Sequence, residues 1–177
     1  MSNQVVLWSM IIVPWLTLFF MKKEEIKRFM PVALFSVITS IVIVEVGQTL
    51  GWWIVRETAY PLKTVSYLFG LNPVMTIWLF HFLYGRFWRY VAIDLILNFG
   101  FVFLFLVHFI ASRGITQRLD ITPLQNVLLS TLHGVLLYGY QMWQEGVLVR
   151  SKRTNVSAIM QPVLAKPIPQ NEEDEGL

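Results

Sequence analysis

The chain is dominated by long apolar runs. Five stretches, at about 4–21, 29–55, 65–84, 90–111 and 124–142, hold 18 or more mostly apolar residues each, with almost no charge inside them. A transmembrane helix needs about 20 such residues. No alternating apolar–polar pattern persists long enough for a β-barrel. In lipid the backbone must satisfy its own hydrogen bonds, which leaves helices. The expected fold class is therefore all-α: a polytopic transmembrane helical bundle of about five spans over residues 1–149. Residues 150–177 are polar, carry Pro162, Pro167 and Pro169, and end in Glu172, Glu173, Asp174 and Glu175. They read as a disordered cytoplasmic tail.

Composition closes off the other classes. Of 177 residues, 55% are hydrophobic and 14% charged, against roughly 25% charged in a soluble domain. That excess argues against a soluble enzyme or a nucleic-acid-binding domain. The net charge of +3 fits loop charges set by membrane topology better than an anionic partner. With no cysteine in the chain, disulfides, thiol catalysis and Cys-ligated metals are excluded.

Charge placement sets an orientation. Residues 1–8 have no charged side chain, whereas Lys22, Lys23, Lys27 and Arg28 follow the first apolar run. That order is the reverse of a cleaved signal peptide. Placing residues 22–28, the 85–89 turn and the tail inside puts ten Lys/Arg there; the opposite loops hold four. The positive-inside rule then predicts N-out and C-in. Trp8, Trp52, Trp53, Trp88 and Trp143 fall near span ends, as an aromatic belt requires.

Polar residues inside spans are costly and normally face the bundle interior. At 1.5 Å rise per residue, Glu45 lies roughly 22 Å from the inner edge and His108 roughly 27 Å, with Asp94 and His81 at roughly 6 Å, Asn98 near 12 Å and His133 near 15 Å. Spacing groups Asp94, Asn98, Phe101, Phe105 and His108 on one face of the fourth helix. Asn126, Ser130, His133, Tyr140 and Gln144 form a stripe on the fifth. The two stripes are expected to face each other, as interhelical hydrogen bonds or as a proton or ion path. Gln48 follows Glu45 by one turn, and His108 is its nearest expected partner in depth. Asp94 and His81 are expected to form a salt bridge near the inner surface. Gly47 and Gly51 make a GxxxG pair, the signature of close helix packing, which Ser36 and Ser40 extend.

Catalytic signatures are missing. There is no HExxH, GxSxG, P-loop or GxGxxG motif. The three histidines sit at three depths, which argues against one shared metal or haem site. No catalytic residue, cofactor or metal is expected.

Several strings carry a resemblance: Pro31-Val32-Ala33-Leu34-Phe35, Glu45 with Gly47, Gly51-Trp52-Trp53, Tyr84-Gly85-Arg86-Phe87-Trp88 and Tyr138-Gly139-Tyr140-Gln141. Together, over about residues 22–144, the chain resembles a family of small multi-pass membrane proteins of endospore-forming Firmicutes, the Bacillus and Clostridium relatives. The resemblance implies a bacterial plasma membrane location and carries no established activity. Two functions are then expected. The first is a structural or interaction subunit of a membrane assembly, in contact with lipid and with a second copy or a membrane protein partner. The alternative is a small transporter or channel-like protein with Glu45, Asp94 and His133 along a polar route.

Overall fold

A computed structural model describes residues 3–118 and 120–159, with the backbone alone for 118 and for 147–159. Helix α1 is Asn3–Thr17, followed by a 3-10 turn at Leu18–Phe20. Helix α2 is Lys23–Thr49 and strand β1 is Trp53–Val55. A 3-10 turn at Ser66–Leu68 leads into α3, Leu71–Leu83. Helix α4 is Phe87–Gly100 and runs on as a π-helical segment, Phe101–Ile110. Strand β2 is Thr116–Arg118 and α5 is Pro123–Ile159. The fold is the all-α membrane bundle that the apolar runs require. Four helical stretches, Asn3–Phe20, Lys23–Thr49, Ser66–Leu83 and Phe87–Ile110, are long and apolar enough to cross a membrane. Helix α5 is not among them, because Gln125, Asn126, Ser130, Thr131 and His133 dilute its apolar residues.

The outer surface is apolar, as a lipid-facing surface must be. On α2, Leu34, Ile38, Val42 and Val46 form one exposed stripe; on α5, Leu124, Leu128, Leu132 and Leu136 form another. Inside, Phe29, Val32, Ala33, Val74, Ile77, Phe80, Tyr90, Leu137 and Tyr138 make the largest buried cluster.

Close helix approach occurs where a side chain is missing. At Gly70 the backbone of α1 passes so near that a Cβ would collide with the Met10 and Ile11 carbonyl oxygens and lie 2.7 Å from Ile11 Cα. Trp15 and Trp78 flank this crossing. Trp15 Nε1 donates to Phe69 O at 3.0 Å and Trp78 Nε1 to Thr17 Oγ1 at 3.1 Å. Each half-buried indole thus satisfies its only donor.

The second span ends earlier than its apolar run. Trp52 N–H donates to Gly47 O at 2.8 Å and Gly51 N–H to Gln48 O at 3.1 Å. With Gly51 at φ +73°, this is a Schellman stop, in which a glycine takes the left-handed conformation just past the helix. The chain then turns back, and β1 pairs antiparallel with β2: Trp53 opposite Arg118, Ile54 opposite Gln117, Val55 opposite Thr116. The residues expected as the last turn of a span, up to Val55, are thus one strand of a two-stranded ribbon. Gly51 is a turn residue rather than a packing residue. Gly47 does pack closely, but against a ring from its own chain: a Cβ there would lie 2.7 Å from Trp53 Cε2 and Cη2, and closer still to Cζ2. Trp53 therefore turns inward instead of anchoring in the belt.

At the same ribbon end, α1 is tied to the loop after β1. Asn3 Nδ2 donates to Glu57 Oε2 at 2.7 Å, Gln4 Nε2 donates to Thr58 O at 3.0 Å, and Tyr60 N–H donates to Gln4 Oε1 at 3.1 Å.

Residues up to Met142 form one compact unit and those from Trp143 a second. In the second, α5 continues to Ile159, into the stretch expected as disordered tail. After Gly146 no proline or glycine occurs before Pro162. The rest of the expected tail, 160–177, lies outside the described residues.

Candidate functional site: a polar cavity between four helices

Between α2, α3, α4 and α5 lies a cavity of about 280 Å³. It far exceeds the roughly 10–15 Å³ that one water needs and approaches the ~300 Å³ at which small-molecule pockets begin. Trp53, Val55 and Thr116 of the ribbon line one end, and Tyr90 and Leu137 the other.

The cavity's polar wall comes from short side chains at one-turn spacings. On α4, Asp94 is 9% exposed, and Asn98 Nδ2 donates to its Oδ2 at 2.9 Å. The same amide reaches Thr131 Oγ1 of α5 at 3.5 Å. Helix α5 approaches α4 through Gly134: a Cβ there would lie 2.5 Å from Asp94 Oδ2 and 2.9 Å from its Cγ. Tyr90 OH donates to Gly134 O at 3.0 Å. A glycine in mid-helix is costly. Here it gives the carboxylate room and keeps the α5 backbone within reach of Tyr90.

His133 is 2.6 Å from Thr39 Oγ1 through its Nε2. Thr39 has one hydroxyl proton, and its Oγ1 is 2.8 Å from Phe35 O. With that proton spent on the carbonyl, Nε2–H of His133 is the donor to Thr39, and Nδ1 of the neutral ring is left as an acceptor. Across the cavity, Asn72 Nδ2 donates to Ser40 Oγ at 2.8 Å, and Thr76 Oγ1 to Asn72 O at 2.9 Å.

The cavity floor is closed by rings. Tyr138 stands 4.9 Å from Tyr90, 5.2 Å from Phe87 and 5.9 Å from Phe80, centre to centre. Its OH accepts from Gly85 N–H at 3.1 Å, pinning α5 to the α3–α4 turn.

Four of the polar residues singled out in the sequence, Asp94, Asn98, Ser130 and His133, line this one cavity, and Asn126 of the same stripe joins them. The other four do not. Glu45 is exposed, among the apolar residues of the α2 stripe. Gln48 is half-buried and His108 exposed; neither lines the cavity. The expected His81–Asp94 salt bridge does not form: His81 Nδ1 pairs with Glu25 Oε2 at 2.6 Å, at the start of α2. The expected stripe on α4 breaks at Phe101, where the helix widens from i–4 to i–5 hydrogen bonding; Ala111 N–H, for example, reaches Leu106 O. Each π turn takes more residues than an α turn, so His108 rotates off the face it would share with Asp94. Phe101, Phe105 and Phe109 instead stack in succession, with centroids 4.9 and 5.8 Å apart.

Sequence reasoning missed Asn72, Thr76 and Gly134. The signal for the first two was an Asn and a Thr one turn apart, opposite the Ser36–Ser40 pair on α2. For the third it was a glycine beside the polar stripe of α5. Among the described residues no group of three or more His, Asp or Glu is placed to hold a metal. Comparison with protein-family models, with curated proteins and with solved structures finds no match to this chain.

Proposed function

We propose that the chain is a membrane protein that takes up a small solute within the bilayer, a transporter or channel-like protein. The observation that carries this reading is the cavity between the two polar stripes. A bundle held only by interhelical hydrogen bonds has no use for such a void, since each unfilled volume forfeits dispersion contacts. Polar lining in lipid marks a solute or ion path. The reading includes α5 as a fifth span whose polar face is spent on the cavity. Its orientation is N-out, with the ribbon outside, supported by ten Lys/Arg against four. The resemblance to membrane proteins of endospore formers supports a bacterial plasma membrane.

The chain has no cysteine, so single cysteines can be read directly. Ser130→Cys on the cavity wall, Leu128→Cys on the lipid face and Ser112→Cys near the ribbon are exposed in turn to a small thiosulfonate reagent outside intact cells. Ser112→Cys and Ser130→Cys are expected to react and Leu128→Cys to stay unmodified. If Ser112→Cys reacts and Ser130→Cys does not, the stripes form a dry network. The structural or interaction-subunit reading then replaces this one, to be followed by cross-linking for a second copy or a partner. If Ser112→Cys reacts only in inverted vesicles, the orientation is reversed.

A further inference from the structure

We infer that the solute of this cavity is a small organic cation, a protonated amine with an apolar body, held with its ammonium group against Asp94. The inference rests on the uptake reading above and names its substrate class.

Among the described residues Asp94 is the single carboxylate on the cavity wall. It is nine-tenths buried, and the neutral amide of Asn98 donates to it. Among the described residues no Lys, Arg or His forms an ion pair with it; the histidine that its depth suggested is engaged by Glu25. A buried carboxylate without a counter-cation is normally costly. An ammonium ligand would supply that charge and up to three donors. Two features hold the carboxylate ready instead of letting it pair elsewhere. Asn98 fixes one oxygen, and Gly134 leaves space around the group where any other residue would press on it.

The rest of the wall fits an organic body better than a bare ion. Toward the ribbon the lining is mostly apolar, Ile43, Val44, Val55, Leu68 and Phe101 with Trp53, beside Thr116. An aromatic face and aliphatic side chains suit an alkyl or aryl ammonium. A metal cation needs several converging oxygens, normally including more than one carboxylate, and this wall carries one carboxylate among the described residues. Among the described residues there is no acidic or histidine cluster to hold a metal. An anion would meet Asp94 with no compensating cation.

The test uses the full chain carrying Ser130→Cys in lipid nanodiscs, read by the rate of modification with a neutral thiol reagent. n-Butylammonium, n-pentanol and pentanoate, similar in size and differing in charge, are added as protectants. n-Butylammonium is expected to protect about tenfold better than n-pentanol, as charge pairing in a low-dielectric site implies, and pentanoate not at all. Asp94→Asn is expected to erase the preference for n-butylammonium over n-pentanol, with protection in each variant read against that variant's own unprotected rate. Equal protection by the amine and the alcohol, or protection by the amine that survives Asp94→Asn, would overturn the cation assignment and leave the cavity reading standing. A Ser130→Cys that resists the neutral reagent altogether would overturn both. If Asp94→Asn does not fold, the comparison of three protectants on the unaltered carboxylate still decides the charge class.

Discussion

The two ends of the bundle are framed by the same four helices and reach opposite results. At the turn end, Phe29, Phe80, Tyr84, Phe87, Tyr90 and Tyr138 meet ring to ring with centroids 4.9–5.9 Å apart, and Phe80 is 0% exposed. At the ribbon end, the same four-helix arrangement surrounds a cavity, with a tryptophan and a short strand pair across its mouth. The difference lies in what fills the space between helices. Rings from four helices interlock at one end, while at the other short polar side chains on α2, α3, α4 and α5 stop short of one another. A bundle built this way has a rigid base and an adaptable chamber.

The largest effect should come from the base. Phe80→Ala removes the ring that touches Phe29, Tyr84, Tyr90 and Tyr138. In lipid the loss is mainly of packing, because the unfolded helices already lie in an apolar medium. A destabilisation on the order of 2–3 kcal/mol is expected, below the ~3–5 typical of soluble cores. Detergent-titrated unfolding in mixed micelles measures it. A change under about 0.5 kcal/mol, the size of an ordinary surface substitution, would mean that the two ends do not differ in rigidity.

Next in size is Gly134→Ala, at the boundary between the two regions. The added methyl overlaps the Asp94 carboxylate. Either α5 moves away and Tyr90 loses its bond to Gly134 O, or the carboxylate is pushed off Asn98. Overpacking of this kind costs about 1–3 kcal/mol. It should also lower the protection that n-butylammonium gives to Ser130→Cys. Unchanged stability together with unchanged protection would place the carboxylate farther from α5 than the contact implies.

How much of this was legible in the sequence depends on the residue. The helical class followed from the length of the apolar runs, which few other folds tolerate. The facing of Asp94 and Asn98 toward Ser130 and His133 was readable because both stripes obey the α-helical period where those residues sit. His108 was misplaced because its part of the run is π-helical, and nothing in Phe101–Ile110 changes composition to mark the wider turn. Gly51 was misread because GxxxG and a Schellman glycine look alike without the chain reversal that follows; the Trp-Trp pair after it was the available hint. His81 was assigned by depth, and depth leaves lateral position open, so Glu25, one turn into α2, took the partner role expected of Asp94.

The roof itself separates the two regions more finely. Trp53→Ala removes the ring that lies against Gly47 and over the cavity. The ribbon keeps its backbone pairing, so stability should fall by about 1–2 kcal/mol, less than at the base. Modification of Ser130→Cys from the ribbon side should quicken several-fold. If it slows, the ring holds the mouth open instead of covering it.

The smallest effect is expected at Glu45, the other carboxylate of a spanning helix. Helix α2 has 27 residues, about 40 Å at 1.5 Å per residue, against a hydrocarbon core of roughly 30 Å. Glu45 lies four residues from Thr49, the last of the helix, so it stands about 6 Å from that end. Its side chain is exposed there, beside Val42 and Val46. With α2 spanning the bilayer as proposed, that position would reach the headgroup layer, where a carboxylate stays hydrated and costs little. Glu45→Gln is therefore expected to change stability by less than about 0.5 kcal/mol and to leave both labelling of Ser130→Cys and its protection by n-butylammonium unaltered. Asp94→Asn, by contrast, is expected to abolish that protection. The two carboxylates differ in what surrounds them rather than in kind: one is exposed near the end of α2, the other is walled in beside a glycine and an amide. A Glu45→Gln variant that lost amine protection would join the two into one path, and the contrast between rim and chamber would fail.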